Sequence, residues 1–346
     1  MNAFKKTAIT RILKKFRDSR FLFFGSFFLL GSVFAFLIYK ATTPVFPSAS
    51  CPIVFYANQS RHDLKLLFCQ AIHSAQHALW ASFYGVTDRD IIAALSKKAS
   101  SGIDVSIEYD RKASLSLKKL LPSQARITAR RSKGLMHRKI LIVDQAYLFL
   151  GSANWTSSSL QHHSNSVIGL YAPPLAHFLS HHPDASPFFF ELESSQAECW
   201  LLPDTEQQAL KRLLSLIQEA SQTIRIAMFT LTHPQIAHAL ADAVKRGVHV
   251  SVIIDYYSAR GASNKTVDLL QQKGVAVFLS QGPQLFHHKW AIIDHNTFAM
   301  GSANWTKAAF TKNEDFLFIL SPLTKDQKKY LNGLWEILEL EANRML

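Results

Sequence analysis

An internal duplication constrains this chain more than any other feature. The run HRKILIVDQAYLFLGSANWT at 137–156 returns as HHKWAIIDHNTFAMGSANWT at 287–306, displaced by 150 residues without a gap. Two shorter matches accompany it: HALWASFYGVT (77–87) with TIRIAMFTLT (223–232), and GIDVSIEYD (102–110) with GVHVSVIID (247–255). Such self-similarity means two copies of one structural unit, and it has to be recognised before a fold class is assigned. Within each copy, strand-like runs such as ALWASFY and DVSIEY alternate with helical stretches such as RDIIAALSKKASSG and PQIAHALADAVKRG, whose Gly102 and Gly247 suit helix C-termini. The expected class is α/β. A first repeat is expected over 51–185 and a second over 186–346. Between them, Pro173, Pro174, Pro183 and Pro187 are expected to break regular structure, and Phe188–Phe190 reads as a packed plug rather than a membrane contact.

The chemistry lies in the repeated motif. Residues two apart on a strand share a side, so His137 and Lys139 can converge on one pocket, as can His287 and Lys289. Asp144 and Asp294 belong to the same motif and are carried with the catalytic set. Seven residues from their histidines, however, they have the other parity, which on a regular strand makes them turn-fixing groups. Downstream, Gly151 and Gly301 permit close approach of backbone to a ligand, and Ser152, Asn154, Ser302 and Asn304 add donors. Together with the lysines they read as a cradle for a phosphate.

One His-x-Lys is weak evidence, because a satisfied structural histidine is the ordinary alternative. Two copies of HxKx4Dx6GSxNWT are strong evidence, since packing has no need of the same polar set twice. In-line displacement at phosphorus puts nucleophile and leaving group on opposite sides, and a duplicated site offers one histidine to each. Imidazole, with an unperturbed pKa of ~6.5, suits both tasks. Lys139, Lys289, Asn154 and Asn304 would hold the non-bridging oxygens and stabilise the five-coordinate transition state. Histidine and lysine serve every charge in this scheme, so no metal and no cofactor is expected.

The HxKxxxxD signature and its trailing GSxNWT resemble the phospholipase D superfamily, over nearly all of residues 51–320. The resemblance implies two α/β/α sandwich halves about a pseudo-twofold axis, both histidines meeting one phosphorus. One forms a phosphohistidine; the other protonates the departing alcohol and then activates water or an acceptor alcohol. With both half-sites in one chain, a monomer suffices. The resemblance also implies that the Asn-x-acid element after the second motif, Asn313-Glu314-Asp315, reaches across to the opposite histidine, whereas the first half has His163-Ser164-Asn165 there. Asp315 is then expected to orient His137, with Glu314 as its substitute on a bulged strand, and Asn165 to orient His287. A carboxylate raises the basicity of its imidazole and a neutral amide does not, which makes His137 the nucleophile and His287 the acid.

The superfamily contains phospholipases, phosphatidyl transferases and nucleases. A phospholipid membrane is the preferred partner here, and nucleic acid is the alternative, favoured by TKAAFTKNED (306–315), which is similar to a stretch of short bacterial endonucleases. Transfer of the cardiolipin-synthase kind stays open, although one expected span in this chain rather than two departs from that pattern. A binding module with a dead site would need a broken motif, and neither histidine, neither lysine nor either asparagine is lost.

The lipid preference rests on the N-terminus. Phe21–Tyr39 is nineteen residues without a charge, nearly the length that crosses ~30 Å of hydrocarbon. Seven basic residues in 1–20 precede it, so the positive-inside rule keeps that segment cytoplasmic and sends the body across the membrane. The apolar run exceeds a cleaved signal's usual ~7–15 residues, which favours an anchor, and residues 40–50 read as a linker. Residues 1–50 carry +7 of the formal +13, leaving +6 on the remainder. That is a mild bias, compatible with phosphate-bearing substrates of either class.

Cys51, Cys69 and Cys199 have no zinc spacing, although Cys51 and Cys199 stand before equivalent strands, where a disulfide is conceivable. His162, His163, His177, His181 and His182 cluster without a ligand spacing and read as polar surface rather than a metal site. Asp110 and Asp255 end equivalent strands and read as turn caps.

Overall fold

Apolar stretches with the side-to-side period of strands build two sheets. In the first half these are β1 (Ile53–Ala57), β2 (Ala78–Phe83), β3 (Asp104–Asp110), β4 (Arg126–Arg130), β5 (Lys139–Val143), β6 (Tyr147–Gly151) and β7 (Ser166–Tyr171). In the second half they are β8 (Phe188–Leu192), β9 (Ser195–Leu202), β10 (Thr223–Met228), β11 (His249–Ile254), β12 (Ala276–Ser280), β13 (Lys289–Ile293), β14 (Thr297–Gly301), β15 (Asp315–Ser321) and β16 (Ala342–Arg344). The computed structural model describes residues 31–34, 43–282 and 284–345. The basic segment 1–20 and most of the expected span 21–39 lie outside them, and only 31–34, which are helical, fall within. Among the described residues no helix is long and apolar enough to cross a membrane.

The strand order repeats with the sequence. The first sheet runs β1-β7-β6-β5-β2-β3-β4 and the second β9-β15-β14-β13-β10-β11-β12, extended by β8 at one edge and β16 at the other. In both, β2/β3/β4 and their counterparts are parallel while the strands from β5 outward are antiparallel.

On the first sheet's outer face lie the helices Leu64–Ser74 and Arg89–Ser100; on the second's, Gln208–Glu219 and Pro234–Lys245. Asp88 caps its helix by accepting from the N–H groups of Asp90 and Ile91, and Pro234 opens its own at a position where no N–H is needed. Gly102 and Gly247 follow the helix ends with φ of +88° and +91°, the left-handed conformation that suits glycine. The inner faces meet each other. Ile140, Ile142, Leu148 and Leu150 of the first sheet share one core with Trp290, Ile292, Phe298 and Phe316 of the second. The expected α/β/α layering therefore holds only in part, because the sheets' inner faces are covered by each other as well as by two helices, Lys325–Leu340 and, in the connection between the halves, Pro173–His181.

That inner helix corrects the reading of the proline-rich connection. Pro173 and Pro174 start a helix, Pro173–His181, and β8 follows. Proline fits a first turn, so the prolines punctuate regular structure instead of abolishing it. Phe188 stacks on Phe178 at 4.5 Å and Phe190 lies 6.4 Å from Phe318, while Phe189 points outward against Trp200. The conceivable disulfide is not made: Cys51 is an exposed free thiol and Cys199 a buried one whose burial pushes it up to about 12.

Candidate active site

The two halves join by backbone hydrogen bonds at the motif itself. His137 N–H donates to Glu314 O (2.7 Å) and Glu314 N–H to Leu135 O (2.8 Å); 150 residues away, His287 N–H donates to Ser164 O (2.8 Å) and Ser164 N–H to Leu285 O (2.9 Å). Each histidine is thus fixed to the opposite half before its side chain is considered. Asp110 and Asp255 add a second anchor. Besides capping their own turns, they accept the N–H of Met136 (3.1 Å) and Phe286 (3.0 Å), the residues just before the histidines.

The side chains repeat the crossing. His137 Nδ1 lies 2.8 Å from Asp315 Oδ1, and His287 Nδ1 lies 2.9 Å from Asn165 Oδ1. Asn165 turns its oxygen to the ring because its Nδ2 donates to Ser159 O (2.8 Å) and His163 O (3.3 Å). Both rings therefore carry a proton on Nδ1, which leaves each Nε2 for a reactant.

Ser152 and Ser302 require a correction. The sequence pattern makes each a phosphate donor, yet Ser302 Oγ–H donates to Asp315 Oδ1 (2.6 Å) and Ser152 Oγ–H to Asn165 Oδ1 (2.9 Å). They also accept the N–H of Phe316 and Ser166, so both hydroxyls are consumed in holding the residues behind the histidines. The glycines serve the same end. A Cβ on Gly151 or Gly301 would collide with the carbonyl oxygen of Ser166 or Phe316, so the close approach is to the neighbouring strand and not to a ligand.

Asp144 and Asp294 are corrected as members of a catalytic set. They stand beyond the far ends of β5 and β13, where Asp144 accepts from the N–H groups of Gln76, His77 and Ala78, and Asp294 from those of Ser221, Gln222 and Thr223. Five strand residues, at ~3.3 Å each, separate them from the histidines. They tie the start of β2 and β10 to the motif strand. Glu314 does not orient His137 through its carboxylate, which faces Arg130 (3.0 Å) on the other side of the strand.

No contact among the described residues draws the side chains of Asn154 and Asn304 away from the expected phosphate cradle. The Oδ1 of each is buried without a hydrogen-bond partner among the described residues, unlike the hydroxyls of Ser152 and Ser302. The lysines are fully buried, and each Nζ donates back to its own histidine's carbonyl, Lys139 at 2.5 Å and Lys289 at 2.9 Å. Two aromatic rings went unnoticed in the sequence: Tyr84 lies 5.3 Å from His137 and 5.5 Å from Lys139 Nζ, while Phe229 lies 5.2 Å from His287 and 5.1 Å from Lys289 Nζ. Both directly follow equivalent strands, and aligning the repeats would have paired them. Of the histidine cluster, His163 comes within 6.3 Å of the His287 ring, and His177 stacks on His181.

Burial governs the titration. It pushes Lys139 down to about 7, opposed by Asp315, and holds Lys289 well below the ordinary lysine range, with Lys139 repelling it further. His137 is lowered by burial and by Lys139, with Asp315 pulling the other way; His287, facing both lysines without a carboxylate, is lowered more. Burial would push Asp315 up, but His137, Lys139 and Ser302 together keep it below the usual carboxylate range. At rest Asp315 is ionised, His137 is neutral with a free Nε2 lone pair, and the two buried lysines hold their protons weakly until an anion joins them.

A "Cardiolipin synthase, PLD-like domain" family model matches residues 68–182 and 213–335, one segment in each half. The chain belongs to the phospholipase D superfamily. It is 34% identical over 139 residues to a mitochondrial cardiolipin hydrolase of Xenopus laevis, covering 39% of this chain and 64% of that protein. It is 26% identical over 303 residues to cardiolipin synthase A of Pseudomonas syringae pv. syringae (strain B728a), covering 72% of this chain and 61% of the relative. The chain thus spans less than two thirds of the length of these relatives. The fold is similar to that of phosphatidylserine synthase from Haemophilus influenzae Rd KW20, with a TM-score of 0.70 over 87% of this chain and 89% of that one at 12% identity.

Proposed function

We propose that the protein is a phospholipase D-type phosphodiesterase that hydrolyses or transfers the phosphodiester of membrane phospholipids through a phosphohistidine. One observation carries the reading. Two half-sites are joined across the interface, each with a buried histidine whose Nδ1 is engaged and whose Nε2 has no hydrogen-bond partner among the described residues, beside a buried lysine. His137 Nε2 attacks phosphorus, and the P–O bond to the leaving alcohol breaks as His287 supplies the proton. His287 is neutral at rest, and the phosphodiester anion bound beside it favours its cationic form, so substrate binding loads the acid. His287 then takes a proton from water or an acceptor alcohol, which displaces His137. Lys139, Lys289, Asn154 and Asn304 hold the non-bridging oxygens.

A lipid substrate is supported by the relatives, a cardiolipin hydrolase and a cardiolipin synthase, and by the uncharged run 21–39. The test is side-by-side turnover of phosphatidylcholine, cardiolipin and single-stranded DNA by the full chain, with and without EDTA. Phospholipid turnover insensitive to EDTA is expected. Cleavage of DNA alone would reassign the substrate, and EDTA inhibition reversed by Zn²⁺ or Mg²⁺ would overturn the chemistry.

The anchor reading places the body on the extracytoplasmic side, from the seven basic residues ahead of Phe21. A reporter fused after Leu346 is expected to be active only outside the cytoplasm; activity only inside would reverse the topology.

A further inference from the structure

The net charge of the body is not spread evenly. Residues 111–135 hold eight lysines and arginines and no aspartate or glutamate, more than the +6 left to residues 51–346 as a whole. The corresponding stretch of the second half, 256–285, holds three basic residues and one acidic. Arg126 and Arg130 are engaged with acidic partners. Arg111, Lys112, Lys118, Lys119, Arg131 and Lys133 are exposed and in no ion pair among the described residues.

The same segment exposes leucines. Leu117 and Leu121 turn into the core, whereas Leu115 is 79%, Leu120 53% and Leu135 39% exposed. Leu115 also lines a cavity of about 350 Å³ with Arg111, Lys112, Arg130, Arg131 and Asp110. Asp110 holds Met136 N–H and Leu135 O accepts Glu314 N–H, so this rim stands one residue from His137. Exposed aliphatic tips among unpaired cations form the pattern that sits in a bilayer interface, the apolar groups entering the acyl boundary and the cations meeting headgroup phosphates. A groove for single-stranded nucleic acid interleaves cations with stacking rings, and 111–135 contains no Phe, Trp, Tyr or His.

We propose that this first-half rim is a docking surface for anionic phospholipid bilayers, bringing the lipid to the site from the His137 side. The proposal rests on the lipid reading above and deepens it. Two charge or polarity reversals test it in the full chain: Leu115→Asp with Leu120→Asp, and Lys118→Glu with Lys119→Glu. Each pair is expected to lower kcat/KM on detergent micelles containing phosphatidylglycerol or cardiolipin by ~10-fold or more, with turnover of soluble bis(p-nitrophenyl) phosphate unchanged. A second measurement is independent of turnover. In Leu115→Trp, reconstituted in vesicles of phosphatidylglycerol with brominated acyl chains, the added emission is expected to be quenched. Quenching without any phospholipid turnover would retain the docking surface and remove the proposed substrate. Phospholipid turnover without quenching, equal losses on the soluble diester, or selective loss of single-stranded DNA cleavage would each overturn the docking surface.

Discussion

When His287 is replaced by alanine, a slowly turned-over phosphodiester is expected to leave its phosphoryl group on His137. Removing His137 instead is expected to leave no label on His287. Both variants should lose activity by roughly 10⁴-fold or more, as when one member of a cooperating catalytic set is removed. The assignment follows from the difference in charge between the two groups that hold the Nδ1 of each histidine. Asp315 is ionised and 2.8 Å from His137 Nδ1, so it stabilises the cationic ring that forms when Nε2 bonds to phosphorus. Asn165, at 2.9 Å from His287 Nδ1, accepts the same hydrogen bond without a charge, so a cationic His287 gives up its Nε2 proton readily. Label on His287 in the His137→Ala protein, and none in the reverse case, would exchange the roles. Asp315→Asn is the accompanying control. It keeps the acceptor for His137 and removes the charge, so a loss as large as that of His137→Ala would mean that orientation alone is not the function of this carboxylate.

The sequence displayed this site unusually well, because duplication prints the same polar set twice, with displacements of 145 residues up to Asp110/Asp255 and 150 from His137/His287 onward carrying the histidine contacts of one half onto the other. The parity argument placed Asp144 and Asp294 away from the pocket, and three backbone N–H groups on each explain their presence there. What stayed hidden were choices of partner. A serine beside a glycine after a strand shows a donor but not its acceptor, so Ser152 and Ser302 read as phosphate ligands, whereas the neighbouring chain supplies Asn165, just before β7, and Asp315, at the start of β15. Tyr84 and Phe229 were lost inside apolar runs, where ring and aliphatic residues look alike. Four prolines concealed a helix, because position within the first turn, and not proline content, decides whether a helix forms. The sheet-against-sheet core was equally invisible, since an apolar strand face does not say whether a helix or another strand covers it.

Replacing Lys289 with methionine is expected to reduce kcat/KM by roughly 10²- to 10³-fold, the loss typical of one transition-state charge donor. The same change is expected to raise the melting temperature at pH 7. Lys139 and Lys289 are both buried beside two histidines, and among the described residues Asp315 is the one carboxylate hydrogen-bonded to those histidines. Methionine has a similar shape and no charge to desolvate. The pH dependence distinguishes this cause from a packing gain. In the unfolded chain a lysine holds its proton up to ~10.4, while folded Lys139 releases it at about 7 and Lys289 also well below its ordinary value. Between those limits the unfolded state binds more protons, so wild-type stability rises with pH from about 7 to ~10, and the advantage of Lys289→Met shrinks over the same range. Inorganic phosphate should act in the opposite sense. It supplies the missing anion, so it is expected to raise the melting temperature of the wild type more than that of the variant. A variant that melts lower than wild type at pH 7, or a phosphate effect of equal size in both, would mean that the buried ammonium groups support the fold and are not held in strain for the substrate.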